Sequence, residues 1–243
     1  MSFRFKQFFV EDDRCAMKVG TDGVLLGAWA PSDSPRTILD VGTGSGLIAL
    51  MLAQRWPAAR IDAIDIDPAA VDQAKENFKQ SSFSHQLSAY CTSLQAWETN
   101  DQRLKTNDQN YDLIVSNPPY FRNSLKNPDK GREQARHTDT LSYEELITHS
   151  VRLLSANGRL ALILPAEAET EITDIASTAG LSLTRVTRVY SKESKPPRRV
   201  LLCFENTGSR GYELTPIEDT LVLEDDKGGR SAAYSELTKD FYL

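Results

Sequence analysis

Apolar segments of strand length alternate with segments of helix length along most of the chain. Strands are predicted near residues 37–42, 60–66, 86–92, 110–116, 158–164, 182–190 and 199–205, and helices near 45–55, 69–79, 142–154 and 167–179. This alternation favours an α/β fold, a doubly wound and mostly parallel sheet with helices on both faces. Because no full helix fits between the last two strands, we expect seven strands that end in an antiparallel edge hairpin.

A glycine-rich turn follows the first predicted strand. Its spacing is G-x-G-x-G, and Leu47 stands where a dinucleotide site would need its third glycine. Glycines let the backbone pass close to a ligand, and the helix that follows offers unpaired N–H groups. The turn resembles the S-adenosylmethionine site of class I methyltransferases. The resemblance implies cofactor contacts from Asp40, Gly42, Thr43, Gly44 and Gly46.

The second predicted strand ends in two acids with different predicted roles. Asp65 comes about 20 residues after the glycines, where a carboxylate that binds the cofactor ribose is expected. Asp67 precedes Pro68 and is better explained as a helix N-cap. We therefore assign the ribose hydroxyls to Asp65 and place Ile66 beside it in the cofactor site. The alternative for Asp65 is an acid at the surface end of a strand.

The strand near 110–116 ends at the sequence Asn117-Pro118-Pro119-Tyr120. Neither proline donates a backbone N–H, so the strand pairing ends there, and the turn is extended and stiff. An amide oxygen, a backbone carbonyl and an aromatic face at one spot can hold a planar exocyclic amine. We predict that these four residues are catalytic and that Asn117 also borders the cofactor. The alternative is a proline-rich turn with a surface tyrosine.

Composition and charge limit the other possibilities. A net charge of −6 and a pI near 5.2 do not indicate a strongly basic protein overall. The three cysteines and three histidines lack the spacing of a disulfide framework or a metal site. No apolar stretch is long enough to span a membrane, and the N-terminus lacks an apolar signal core. We therefore expect no metal, no membrane partner and a cytoplasmic location.

The length of 243 residues favours one domain. Within it, we expect an N-terminal extension or lid over 1–36, a catalytic core over 37–207 and a C-terminal extension over 208–243. We expect a monomer or a weak homo-oligomer.

Several segments together resemble the bacterial tRNA N6-adenine methyltransferases that modify valine tRNA beside the anticodon. They are residues 3–8, 17–29, the glycine turn, 117–120, 135–137 and 237–243. The resemblance covers nearly the whole chain. It implies methyl transfer from S-adenosylmethionine to the N6 amine of the adenine at tRNA position 37. Many relatives carry an acid after the third strand to contact the cofactor adenine, whereas this chain has Ser93, which can still form a hydrogen bond.

Two basic runs are candidate contacts for the tRNA substrate, because clustered cations bind phosphates whatever the total charge. The first run follows the proline turn and contains Arg122, Lys126, Arg132 and Arg136. The second surrounds a Pro-Pro pair and contains Lys195, Arg198 and Arg199. The alternative is a solvated loop and hairpin.

Other functions remain open from sequence. A glutamine N5 or ribosomal RNA amino methyltransferase could use the same Asn-Pro-Pro-Tyr chemistry. The glutamine enzymes usually carry a helical domain before the glycine turn, and only about 37 residues precede that turn here. A nicotinamide-dependent dehydrogenase is opposed by the glycine spacing. A cofactor-binding module without catalysis is opposed by the intact Asn117 and Tyr120.

Overall fold

The computed structural model describes residues 2–31, 33–100, 110–119, 141–207 and 215–243, apart from the side chains of 98–100. Within these ranges there are ten strands: β1 Ser2–Arg4, β2 Phe9–Glu11, β3 Thr37–Val41, β4 Arg60–Asp65, β5 Leu87–Cys91, β6 Tyr111–Ser116, β7 Leu154–Pro165, β8 Leu181–Tyr190, β9 Arg199–Asn206 and β10 Ile217–Val222.

Eight of these strands form one sheet in the order β10-β8-β9-β7-β6-β3-β4-β5. Strands β3 to β7 are parallel, and β9 runs antiparallel to both β7 and β8. The predicted α/β class, the mostly parallel sheet and the β8–β9 hairpin are confirmed. The sheet has eight strands rather than seven, because β10 from the C-terminal extension pairs parallel to β8 and covers the expected edge.

Seven α-helices lie in the described residues: α1 Thr21–Trp29, α2 Leu47–Arg55, α3 Pro68–Gln80, α4 Leu94–Asn100, α5 Tyr143–Leu153, α6 Glu169–Thr178 and α7 Ala232–Thr238. Helices α1, α2, α3 and α7 supply side chains to one hydrophobic cluster, and α4, α5 and α6 supply them to the other. The helices therefore form two layers with the sheet between them. The predicted α2, α3, α5 and α6 are confirmed, whereas α1, α4 and α7 were not predicted.

The central strands are buried on both faces, which explains their continuous apolar sequence. In β3, Ile38 packs into one cluster and Leu39 into the other, and both are fully buried. In β6 and β7, residues 113–115 and 160–164 are likewise buried. A parallel sheet covered by two helical layers requires this pattern.

Two helix starts follow the local sequence. The Asp67 side chain accepts a hydrogen bond of 2.9 Å from the Ala69 N–H, with Pro68 at the first position of α3. Ser142 and Glu145 form a reciprocal capping box at the start of α5. Each cap contributes about 1 kcal/mol of helix stability, and the cap at Asp67 was predicted.

The two ends of the chain pack against each other. The Phe5 ring stacks on Phe8 and on Tyr242, with centroids 4.7 and 5.9 Å apart. The Lys6 N–H donates to the Phe241 carbonyl over 2.9 Å. The Gln54 side chain on α2 donates to the Asp240 carbonyl, also over 2.9 Å. The final residues thus hold the β1–β2 hairpin against the layer that contains α2.

Candidate functional site

The residues predicted from strand ends meet at one edge of the sheet. Strands β6, β3 and β4 are neighbours, and Val41 pairs in register with Ser116 on one side and Ile64 on the other. The glycine turn, Asp65 and Asn117 follow or end these three strands. Ligands of open α/β sheets bind at this carboxyl edge, where the order of strands reverses.

The glycine turn contains three left-handed residues, with φ of 74° at Gly42, 54° at Gly44 and 81° at Gly46. A Cβ at Gly42 or Gly44 would meet no atom within 4 Å, so the backbone there faces open space. A Cβ at Gly46 would lie 2.4 Å from the Phe78 ring of α3. The first two glycines therefore provide a cradle that a ligand can approach, and the third allows close packing on α3.

Asp40 lies beneath this turn and is fully buried. Its Oδ2 accepts a hydrogen bond of 2.6 Å from the Thr43 hydroxyl, while Oδ1 has no hydrogen-bond partner among the described residues. Burial raises the pKa of Asp40 to about 7, against the opposing effects of the Thr43 hydroxyl and the Ala49 N–H. Asp40 therefore supports the turn from below through its contacts with Thr43 and Ala49.

Asp65 links the turn to the next strand. Its two carboxylate oxygens accept hydrogen bonds from the N–H groups of Gly44 and Asp67, at 2.9 and 3.0 Å. Each oxygen has a second lone pair that can accept a ligand hydroxyl. Ile66 follows with 58% of its surface exposed, which is unusual for a large apolar side chain beside a buried strand. A carboxylate beside an exposed apolar side chain fits a ribose and an adjoining base.

Ser93 lies one strand farther along the same edge. The Thr92 N–H donates to the Asp65 carbonyl over 2.9 Å, which brings this connection next to β4. The Ser93 hydroxyl oxygen accepts a hydrogen bond of 3.2 Å from the Ala96 N–H at the start of α4. Its hydroxyl proton is not used by that bond and can be donated to a ligand.

The proline turn is described as far as Pro119. Asn117 is half-buried, Pro118 is buried and Pro119 is exposed. The Ser116 hydroxyl donates to the Val41 carbonyl over 2.8 Å, which ties the start of this turn to the end of β3. Tyr120 lies outside the described residues, as do Arg122, Lys126, Arg132 and Arg136.

The second basic run lies at the same edge of the sheet, since Arg199 at the start of β9 pairs with Pro165 at the end of β7. One cation of this run and a neighbouring lysine contact acids. Arg199 forms an ion pair of 2.8 Å with Asp22, and Lys192 forms one of 3.3 Å with Glu224. Lys195 and Arg198 are exposed and form no ion pair within the part of the chain that is described. They are therefore the better candidates of this run for phosphate contacts.

Asn77 is a buried residue of this region that the sequence did not reveal. It lies on α3, and its side chain contacts both the glycine turn and β2. The signal was an asparagine on the face of the helix that also carries Val71, Ala74 and Phe78. An amide on an apolar face needs buried partners, but the sequence does not show which ones.

No group of three or more His, Cys, Asp or Glu residues in the described ranges is arranged to hold a metal ion. No helix described here combines the length and apolar character needed to cross a membrane.

Comparisons with known proteins identify the family. Residues 22–176 match the model of the methyltransferase small domain. The chain is 48% identical over 241 residues to the tRNA1(Val) (adenine(37)-N6)-methyltransferase of Parabacteroides distasonis, covering 99% of this chain and 97% of that one. It is 41% identical over 242 residues to the protein of the same name from Pectobacterium carotovorum, covering 99% and 93%. The chain belongs to the tRNA1(Val) (adenine(37)-N6)-methyltransferase family.

Solved structures agree with this family at the level of the fold. A predicted O-methyltransferase of Agrobacterium tumefaciens superposes with a TM-score of 0.68 at 16% identity, covering 90% of this chain and 96% of that one. A putative class I S-adenosylmethionine-dependent methyltransferase of Listeria monocytogenes superposes with a TM-score of 0.56 at 13% identity, covering 85% and 65%. These structures and this chain share an α/β fold.

Proposed function

We propose that this protein transfers a methyl group from S-adenosylmethionine to the N6 amine of adenine 37 in tRNA1(Val). The observation that supports this most strongly is that the glycine cradle and the Asn117-Pro118-Pro119 turn follow adjacent strands, with Val41 and Ser116 in register. A site for the methyl donor and a site for an amine are thereby placed side by side. The relatives named above are similar over nearly their whole length, which supports this substrate.

The described residues at the glycine turn fit the cofactor. Asp65 would accept hydrogen bonds from the ribose hydroxyls, and Ile66 and Ser93 would contact the base. Gly42 and Gly44 would allow the backbone to approach the amino-acid part, with Asp40 and Thr43 beneath them. When bound, S-adenosylmethionine supplies a methyl group that its positively charged sulfur already activates for transfer.

The proline turn would hold the acceptor amine. The N6 lone pair of adenine is delocalised into the ring, so the amine is a weak nucleophile. The Asn117 side-chain oxygen and the Pro118 carbonyl would accept the two hydrogens of this amine. These hydrogen bonds would orient the lone pair toward the methyl group. The same contacts stabilise the positive charge that develops on nitrogen as the bond forms. Tyr120 would stack on the base once adenine 37 is turned out of the anticodon loop.

The tRNA would extend from this edge over the surface that carries Lys195 and Arg198. At about 4.8 Å per strand, two strand spacings separate β6 from β9, so this surface begins about 10 Å from the proline turn. Phosphates of the anticodon stem-loop can therefore contact these cations while adenine 37 reaches Asn117. The first basic run, Arg122, Lys126, Arg132 and Arg136, follows the proline turn directly in sequence and is proposed for the same role.

The test is to incubate the purified protein with methyl-labelled S-adenosylmethionine and total tRNA that lacks the modification, then to digest the RNA. We expect labelled N6-methyladenosine, and a tRNA1(Val) transcript with guanine at position 37 should accept no label. Parallel reactions replace the tRNA with ribosomal RNA or with a glutamine-containing peptide. Label in either of these, with none in tRNA, would contradict the proposed substrate and support the alternative amino methyltransferases. Tighter binding of NADH than of S-adenosylmethionine would contradict the reaction itself.

A further inference from the structure

The side chain of Asn77 joins three parts of the molecule inside the protein. Its Oδ1 accepts a hydrogen bond of 3.0 Å from the Glu11 N–H on β2. Its Nδ2 donates to the carbonyls of Glu11 and Ser45, each over 2.8 Å. Asn77 is fully buried, so it holds the N-terminal hairpin and the glycine turn to α3 with both amide protons in use.

The glycine turn depends on this contact for its shape. Ser45 lies between two glycines in the left-handed region, Gly44 and Gly46. The peptide group from Ser45 to Gly46 is fixed at both ends, because its carbonyl accepts from Asn77 and its N–H donates to the Thr43 carbonyl over 2.9 Å. Phe78, the neighbour of Asn77, packs directly on Gly46. Helix α3 therefore sets the conformation of the turn.

Asn77 also anchors the start of residues 12–19, which we call the N-terminal segment. The segment begins immediately after Glu11 and folds around Asp12, whose Oδ2 accepts from the Val19 N–H over 2.9 Å. It buries Cys15, and burial together with the charge of Asp65 raises the pKa of that thiol to about 11. Asn77 joins Glu11 to Ser45, and the N–H of the adjacent Gly44 donates to Asp65, so the segment begins near the proposed ribose carboxylate.

We propose that Asn77 is a positioning residue that couples closure of the N-terminal segment to the shape of the glycine turn, so that closure and cofactor binding stabilise each other. The inference rests on the proposed function for the identity of the cofactor. Coupling between two sites is reciprocal. Closure of the segment therefore raises the affinity for the cofactor by a factor, and bound cofactor shifts the equilibrium toward the closed segment by the same factor. Asn77 provides the coupling because one side chain contacts both elements.

The substitution Asn77→Asp tests this role. A carboxylate of the same shape still accepts from the Glu11 N–H but has no proton for the carbonyls of Glu11 and Ser45. We expect the Kd for S-adenosylmethionine, measured by calorimetry without RNA, to rise about tenfold, within the usual range of coupling factors. The KM for the cofactor should rise by a similar factor, whereas kcat at saturating cofactor should change little.

The alkylation rate of Cys15, followed on its own peptide by mass spectrometry, reports opening of the segment. In the unmodified protein, S-adenosylhomocysteine should slow this rate several-fold, in proportion to the coupling. In Asn77→Asp the rate without ligand should be higher, and saturating ligand should protect Cys15 less. Loss of protection distinguishes coupling from a general loss of stability, which would leave the protection ratio unchanged.

Arg14→Ala is the matched control. It removes an exposed ion pair of 3.2 Å between the same segment and Glu76 on the same helix, without touching the glycine turn. Its cofactor Kd should change less than twofold. If Asn77→Asp does not fold, as judged by circular dichroism, Asn77→Ser replaces it, because serine is uncharged and too short to reach both partners.

The outcomes separate the two proposals. An unmodified protein that does not bind S-adenosylmethionine would overturn the proposed function, and with it this coupling. The second outcome is that the unmodified protein binds S-adenosylmethionine and the Asn77 variant shows the same Kd and the same protection of Cys15. This result would overturn the coupling and leave the proposed function intact. A tenfold weaker Kd with lost protection supports the coupling.

Discussion

At the scale of single residues, Asp40 gives the protein a specific dependence of stability on pH. Its pKa rises from the ordinary 3.8 to about 7 in the folded chain, mainly through burial and also through the nearby charge of Asp65. Between these values the folded state holds a proton that the unfolded state has lost. Its contribution to the free energy of unfolding is therefore complete below about pH 4 and is lost as the pH rises to about 7.

The variant Asp40→Asn should remove this dependence. Each unit of raised pKa corresponds to about 1.4 kcal/mol, so the unmodified protein should lose more stability than the variant between pH 5 and pH 8. Urea denaturation at several pH values measures the difference. Asp72→Asn, at an exposed position on α3, is the control and should keep the original slope. Parallel curves for the unmodified protein and Asp40→Asn would contradict a raised pKa.

The candidate site could be predicted where strand ends determine position. Asp40, the glycines, Asp65 and Asn117 lie together because parallel neighbouring strands end at the same edge, and the sequence shows where each strand ends. The contacts of Asn77 and the pairing of Arg199 with Asp22 could not be predicted. Their partners lie 66 and 177 positions away in sequence, and packing of the terminal elements alone brings them together.

At the scale of elements, α1 shows why some helices were not predicted. It contains Gly23 and Gly27, and glycine is a poor helix former. The structure shows that neither position has room for a larger side chain. A Cβ at Gly23 would lie 3.0 Å from the Leu47 side chain, and a Cβ at Gly27 would lie 2.7 Å from the Met51 sulfur and 2.9 Å from the Met51 Cβ. The glycines let α1 pack closely on α2. Tertiary packing therefore overrides the local preference.

Gly27→Ala should destabilise the protein although alanine favours helix. Overpacking against Met51 costs roughly 1–3 kcal/mol, which exceeds a gain in helix propensity of up to about 1 kcal/mol. Chemical denaturation measures the net loss. Gly20→Ala is the control, because the nearest atom to a Cβ at Gly20 would be the Lys18 carbonyl oxygen, at 3.7 Å. This substitution should change the free energy of unfolding by less than about 1 kcal/mol. A stabilised Gly27→Ala would contradict the close α1–α2 packing.

The strand β10 and its pairing with β8 were not predicted from the sequence. Residues 217–222 carry two adjacent acids and a threonine among three apolar side chains, a pattern that is neither continuously apolar nor strictly alternating. Their place beside β8 depends on Asp219, which pairs with Arg185 over 2.7 Å and contacts the Thr187 hydroxyl. An ion pair of this kind fixes the position of a strand only once both strands exist, so the sequence alone did not predict it.

At the scale of the whole molecule, an overall negative charge coexists with a local cationic surface. The net charge is −6, yet Lys195 and Arg198 are exposed in the β8–β9 turn at the same edge as the glycine cradle. Acids neutralise other cations of this hairpin, including Arg185 and Arg188. Phosphate binding should therefore depend on a few residues, rather than on the total charge.

The double variant Lys195→Ala and Arg198→Ala should bind tRNA more weakly than the unmodified protein. Its affinity for tRNA should also depend less on the salt concentration. The logarithmic salt slope should become shallower by about 0.7 to 0.9 for each lost phosphate contact. Filter binding at several salt concentrations measures it, with S-adenosylmethionine affinity unchanged. Lys192→Ala is the matched control, because this exposed lysine of the same turn is paired with Glu224. An equal slope for the double variant and the unmodified protein would contradict this surface as a tRNA contact.

The most direct test of the central claim is single-turnover methyl transfer to a tRNA1(Val) transcript by the unmodified protein and by Asn117→Ala, at saturating S-adenosylmethionine. We predict one methyl group on N6 of adenine 37. The variant should react about a hundredfold more slowly or worse, because it lacks an acceptor aimed at the developing charge. Methylation at the rate of the unmodified protein by a folded Asn117→Ala, or methylation of another nucleotide, would contradict the account.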